Sequence, residues 1–125
     1  MASSAPNESF AARAAAIMTT SEVAGTSFDL NNAWGSAATV QIDFTQGSAT
    51  NGVFRFYVSQ DGSTWYSLYG ASAAALTQTL TANASLAIPV QAAGWKFLRV
   101  SVQGTGTMTS SSATITVKYL RRGSQ

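Results

Sequence analysis

Residues 38–45 alternate without a break: Val40, Ile42 and Phe44 fall on one side of an extended chain, Thr39, Gln41, Asp43 and Thr45 on the other. A two-residue period of this kind marks a strand with one buried and one wet face. It recurs along the chain. In 53–59, Phe54, Phe56 and Val58 oppose Val53, Arg55 and Tyr57. In 95–103, Leu98, Val100 and Val102 alternate with Arg99 and Ser101. In 112–120, Ala113, Ile115, Val117 and Tyr119 oppose Thr114, Thr116 and Lys118. Shorter strands are expected over 27–30, 64–68, 76–81 and 85–90, with Pro89 suited to an edge or a strand end. In 76–81, Leu76, Gln78 and Leu80 share one side against three threonines, which leaves the core face open. Turn chemistry separates the runs at 46–52, at Gln60-Asp61-Gly62-Ser63, at 70–75 and at Gly104-Thr105-Gly106. No convincing helix interleaves them. The pattern predicts an all-β protein, an antiparallel β-sandwich of jelly-roll or Ig-like type. Phe44, Phe54, Phe56, Leu98, Val100, Ile115 and Val117 are the expected core.

The first 26 residues read differently. They hold Pro6, an alanine-rich run at 11–16 and then Ile17 and Met18. Phe10, Ala14, Ile17 and Met18 fall at helical spacing, but a helix this short is marginal alone in water. The expectation is an N-terminal arm over 1–26 that orders against something else, with Phe10, Ile17 and Met18 as its anchors. The sandwich then spans 27–120, and 121–125 form a basic tail.

Composition removes most chemistry. Among 125 residues there is no cysteine and no histidine, and only 10% are charged, against about a quarter in an average domain. A disulfide scaffold, a thiolate zinc site and the commonest general base are excluded. The serines have no histidine to activate them, and no Gly-x-Ser-x-Gly elbow or phosphate-cradling loop is present. A two-carboxylate site would have to use Asp43 and Asp61, and Asp43 sits on the wet side of its strand. The acids form no calcium loop. A non-enzymatic protein without cofactor or metal is expected.

The formal charge of +2 comes from scattered basic residues, and only Lys118, Arg121 and Arg122 cluster. They either solubilise the tail or contact an acidic partner. No nucleic-acid partner is expected, because no basic face or run is evident. No apolar stretch reaches membrane-spanning length, and the N-terminal residues lack a basic n-region before an apolar core, so no secretory signal is expected. A low-charge, Ser/Thr-rich surface without signal or disulfides suits a particle assembled in a cytoplasm and released by lysis.

Two stretches carry a resemblance. One is Phe54-Arg55-Phe56-Tyr57-Val58-Ser59-Gln60-Asp61-Gly62-Ser63-Thr64-Trp65, a strand, an Asp-Gly turn and a Trp that opens the return. The other is Gly94-Trp95-Lys96-Phe97-Leu98-Arg99-Val100, followed by Gly104-Thr105-Gly106 and a last alternating strand. Together, over 38–120, they resemble phage capsid decoration (cement) proteins and related virion β-sandwich domains. The resemblance implies a structural subunit on the outer surface of a phage head. It would bind the major capsid protein or another virion protein, as a homo-oligomer such as a trimer, and stabilise the shell.

Aspartate-glycine hairpins with a following Trp also occur in carbohydrate-binding and adhesive modules. A glycan-binding or adhesion module is therefore the alternative reading, and a tail or fibre component of the same particle is a third. Trp34, Tyr66 and Tyr69 are the candidate ligand-binding aromatics, with Trp65 and Trp95 behind them. Trp34 stands out because Asn31-Asn32-Ala33-Trp34-Gly35 is a polar loop, where core packing is not the obvious role. Trp65 is expected to pack over its own hairpin.

Overall fold

The computed structural model describes residues 7–69, 76–92 and 94–121. In chain order the strands are β1 (Asn7–Ile17), β2 (Val23–Ala24), β3 (Phe28–Asp29), β4 (Ala37–Thr45), β5 (Ala49–Ser59), β6 (Tyr66–Ser67), β7 (Thr77–Leu80), β8 (Ala84–Gln91), β9 (Phe97–Gly106) and β10 (Ser112–Leu120). Two short 3-10 turns, Leu30–Asn32 and Trp34–Ser36, join β3 to β4.

The strands make two antiparallel sheets, as the alternation predicts. Sheet A runs β1-β10-β4-β8. In sheet B, β9 and β5 are central; β2 and β3 pair successive parts of β9, and β6 and β7 pair successive parts of β5. Each layer is thus about four strands wide. The inward residues of β4, β5, β9 and β10 are the ones their period assigns. Val40, Ile42, Phe54, Phe56, Leu98, Val100, Ile115 and Val117 are at most 1% exposed, and Phe44 is 3% exposed. Phe44 meets Phe54 edge to face across the core, centroids 5.9 Å apart. Gly52 makes room for this pair, since a Cβ there would lie 2.7 Å from Phe44 Cε1. The open face of β7 resolves by burial: Leu80 points inward with Leu76 half-buried beside it, and Thr77 and Thr79 face out.

Three stretches differ from the sequence reading. The helical turn over Phe10–Met18 does not form. Residues 7–17 are an edge strand on β10, from Asn7 opposite Leu120 to Ile17 opposite Ser112. The alanine-rich run has no alternation of its own, yet its backbone finds partners in β10, and Ala12 enters the core. The pairing slips between Ala11 and Ala16, where Arg13 donates to the carbonyls of Ala113, Ala16 and Ile17. The segment that was expected to order against another molecule is ordered against its own sandwich. Second, the Gly104-Thr105-Gly106 turn is part of β9, which pairs with β5 as far as Gly106 opposite Ala49. Third, the loop expected over 46–52 shrinks to Gln46–Ser48, held by Asn83 Oδ1 accepting from the Gln46 amide at 2.8 Å.

Between β1 and β3 the chain crosses from sheet A to sheet B as a strap. Backbone bonds tie it at Met18 (amide to Ser111 carbonyl, 3.0 Å), Thr19 (carbonyl to Gly104 amide, 2.8 Å) and Thr26 (amide to Ala12 carbonyl, 2.8 Å). Met18 is 1% exposed. At the other end of β1, Phe10 stacks on Phe28, which also meets Tyr119, at 5.3 and 4.7 Å.

Candidate functional site

The aromatic cluster of Phe10, Phe28 and Tyr119 closes one end of the core, and the chain reorganises its surface above it. Asp29 starts the first 3-10 turn by accepting the Asn31 amide at 2.9 Å. Ala33 is buried and bridges Arg121. In the turn that follows, Gly35 and Ser36 both take positive φ (67° and 54°) as the chain enters β4. Trp34 is left 57% exposed.

Trp34 does not stand alone. It lines a groove of about 480 Å³ with Ala37 and Thr39 of β4, Pro89 and Gln91 of β8, and Lys118 and Leu120 of β10. Leu120 is 45% exposed, so the groove carries two unburied apolar groups, with the cation Lys118 also in its lining. The Gln91 amide nitrogen donates to the Gly35 carbonyl at 3.0 Å and fixes the turn that bears Trp34. On the other flank Lys118 donates to Ser9 Oγ at 2.9 Å, and Arg121 lies 3.9 Å from Glu8. Those exposed contacts are weak and exchangeable. Arrangement and composition suit a surface that docks on another molecule through an aromatic and an aliphatic anchor beside two cations.

The sequence candidates separate in space. Trp34 and Lys118 come together, and Arg121 is beside them through its bridge to Ala33. Arg122 lies outside the described residues. Tyr66 and Tyr69 are exposed but do not line this groove; Tyr66 belongs to sheet B and packs on Trp95 at 5.4 Å. Of the arm anchors, Met18 is corrected outright. It fills the core beneath Gly52 and has no surface to offer a partner. Phe10 is half-buried on Phe28 for the same reason, and Ile17 alone keeps an exposed side chain, at 52%. Pro89, Gln91 and Leu120 were not singled out from sequence. Their signal was parity: each lies on the outward side of its strand, Pro89 opposite Thr39, Gln91 opposite Ala37, and Leu120 two residues beyond Lys118.

Sheet B carries a second polar cluster that sequence reasoning missed. Glu22, in the strap, accepts from Tyr57 Oη at 2.7 Å and from Ser101 Oγ, and pairs with Arg55 at 3.4 Å. Arg55 also donates to Gln103 Oε1 at 2.8 Å. Burial alone would raise the Glu22 carboxyl. The hydroxyls of Ser101 and Tyr57 and the charges of Arg55 and Arg99 outweigh it and hold the group below its ordinary value. Burial and the same carboxylate push the Tyr57 phenol up. Nothing in the sequence separated Glu22 from the other acids, because its partners are distant in the chain.

The Asp-Gly hairpin is satisfied internally. Asp61 Oδ1 accepts the Ser63 and Thr64 amides at 2.8 and 2.9 Å, Ser59 Oγ accepts the Gly62 amide at 2.9 Å, and Gly62 takes φ of 79°. The backbone amides of Thr64 and Ser63 and the Ser59 hydroxyl lower the Asp61 carboxyl. Among the described residues no three Asp or Glu side chains converge as a metal site, and no helix is long and apolar enough to cross a membrane.

No family model matches the chain, and no curated protein does either. Among solved structures it is similar to the SPBc2 prophage-derived protein YomS, at a TM-score of 0.55 and 19% identity over 94% of this chain and 97% of that one. At that identity the likeness is one of fold. It runs from end to end and so includes the N-terminal strand.

Proposed function

We propose that this chain is a non-enzymatic structural protein of a phage particle, a decoration subunit that sits on the outer surface of the head and stabilises it. The observation that carries the reading is the end-to-end fold likeness to a prophage-derived protein. The resemblance of the Asp-Gly hairpin and the closing strands to capsid decoration proteins points the same way. The groove supplies a means of attachment. Trp34 and Leu120 would enter an apolar recess of the major capsid protein, and Lys118 and Arg121 would face its acidic side chains. Edge strands β1 and β8 leave backbone groups free for neighbouring copies, which suits a closed homo-oligomer such as a trimer. Many copies would convert a modest contact into firm attachment.

The test is attachment to purified, undecorated heads. The pair Trp34→Ala and Lys118→Glu is expected to weaken attachment by at least about tenfold, with the melting temperature nearly unchanged. Unimpaired attachment contradicts the reading. A second reading, a glycan-binding or adhesion module, is favoured by the exposed ring of Trp34 at the mouth of the groove. It predicts that Trp34→Ala abolishes glycan binding in solution and that no binding to heads exists to be lost.

A further inference from the structure

Arg99 on β9 differs from every other described arginine. Arg13 and Arg55 spend their donors on carbonyls, Gln103 and Glu22, and Arg121 has Glu8. Among the described residues Arg99 is fixed without a hydrogen bond. Its guanidinium carbon lies 4.3 Å from the centre of the Trp65 ring and 5.4 Å from that of Tyr57. Its Nε is buried and has no hydrogen-bond partner. The neighbouring carboxylate, Glu22, is already taken by Tyr57, Ser101 and Arg55, and among the described residues no ion pair reaches Arg99. Aromatic stacking thus holds a planar cation in place with its Nε covered and its Nη donors unspent, the preorganised form in which arginine binds a planar oxyanion end-on.

We infer that Arg99, with Trp65 and Tyr57, forms a second surface site on the outer face of sheet B that takes the carboxylate of an acidic sugar. The surroundings decide for a sugar. Across the sheet, Arg99 stands opposite Tyr57 and Tyr57 opposite Ser67; in the next row Ser101 faces Arg55 and Arg55 faces Thr77. Ser67 and Thr77 are exposed hydroxyls on the strands that flank β5, one interstrand spacing of about 4.8 Å away from it. A ring with one carboxylate and several hydroxyls matches a guanidinium on an indole with the Ser67 and Thr77 hydroxyls further along the same two rows. An isolated carboxylate would use the fork alone. The site is separate from the Trp34 groove and does not depend on the virion reading.

The test is a titration of the ¹⁵N-labelled full chain, read at the Arg99 Nε–Hε resonance, with methyl β-glucuronide, methyl β-glucoside and acetate. Saturable displacement by the glucuronide is expected, with little response to the neutral glucoside or to acetate. Arg99→Lys keeps the charge and removes the stacked fork, and should weaken glucuronide binding by about tenfold or more. Trp65→Phe keeps a ring beneath the guanidinium and should weaken it less. Thermal unfolding of both variants separates lost binding from lost folding. An unmoved resonance, a glucuronide response no larger than that to acetate, or a folded Arg99→Lys that binds as well as the parent would overturn the proposal.

Discussion

The two sheets bury similar faces and present different ones to solvent. Outside sheet A the cross-strand rows carry separated charges and no connected network: Ser9, Lys118, Thr39 and Pro89 in one, Ala11, Thr116, Gln41 and Ala87 in the next, Thr114, Asp43 and Ser85 in a third. Outside sheet B, Arg55, Tyr57, Arg99, Ser101 and Gln103 form a connected network with Glu22 and Trp65. Sheet B spends its polar groups on the fold, because Glu22 and the Thr20 carbonyl, which accepts from Gln103 at 3.0 Å, pin the strap that carries the chain between the layers. Sheet A spends few and keeps its anchors, Trp34 and Leu120, at one end. Substitutions in the Glu22 network of sheet B should therefore cost stability, and substitutions in the Trp34 groove should cost attachment.

The largest effect lies at the edge of sheet A. Removing residues 1–18 strips β1, Phe10, Ala12 and Met18, and cooperative unfolding should be lost. Calorimetry of the truncated chain checks this, and a sharp transition near that of the parent would restore the detachable arm. Next is Phe28→Ala, which empties the space between Phe10 and Tyr119 and should cost about 3–5 kcal/mol in denaturant unfolding. Glu22→Gln should follow at about 1–2 kcal/mol, since the group is only partly buried and accepts from two hydroxyls and an arginine. The sign of its pH dependence is fixed. A carboxyl held below its ordinary value of 4.5 contributes stability above that pH, and the contribution is lost as acid carries the solution through the lowered value. The melting temperature of Glu22→Gln should therefore fall less steeply in acid than that of the parent. The smallest effects are expected outside sheet A: Gln41→Thr and Trp34→Ala should each change stability by no more than about 0.5 kcal/mol. A larger loss at Trp34 would show that its ring supports the core.

Period-two alternation made the central strands and seven core residues legible, because each of these strands is long and has one dry side. The N-terminal strand was not legible. Asn7–Ile17 carries small side chains, so its place is set by backbone pairing with β10 and by Phe10 and Met18 finding gaps that other strands create. The Gly104-Thr105-Gly106 turn failed for a related reason, as glycine permits a turn but β5 supplies partners that keep the chain extended. At the candidate site, the exposure of Trp34 was readable from its polar loop, and the cation at Lys118 from its outward parity. Their meeting was not, because it depends on β10 lying between β1 and β4. Met18 shows the reverse error: an apolar residue in an apparent arm reads as an anchor for a partner until the strap is seen to return it to its own core.

The central claim, a decoration subunit of a phage head, is tested most directly by counting. Quantitative mass spectrometry of purified particles should find this chain in copy numbers comparable with the major shell protein. A handful of copies per particle would place it in a tail, vertex or fibre, and its absence from particles would contradict the virion reading altogether.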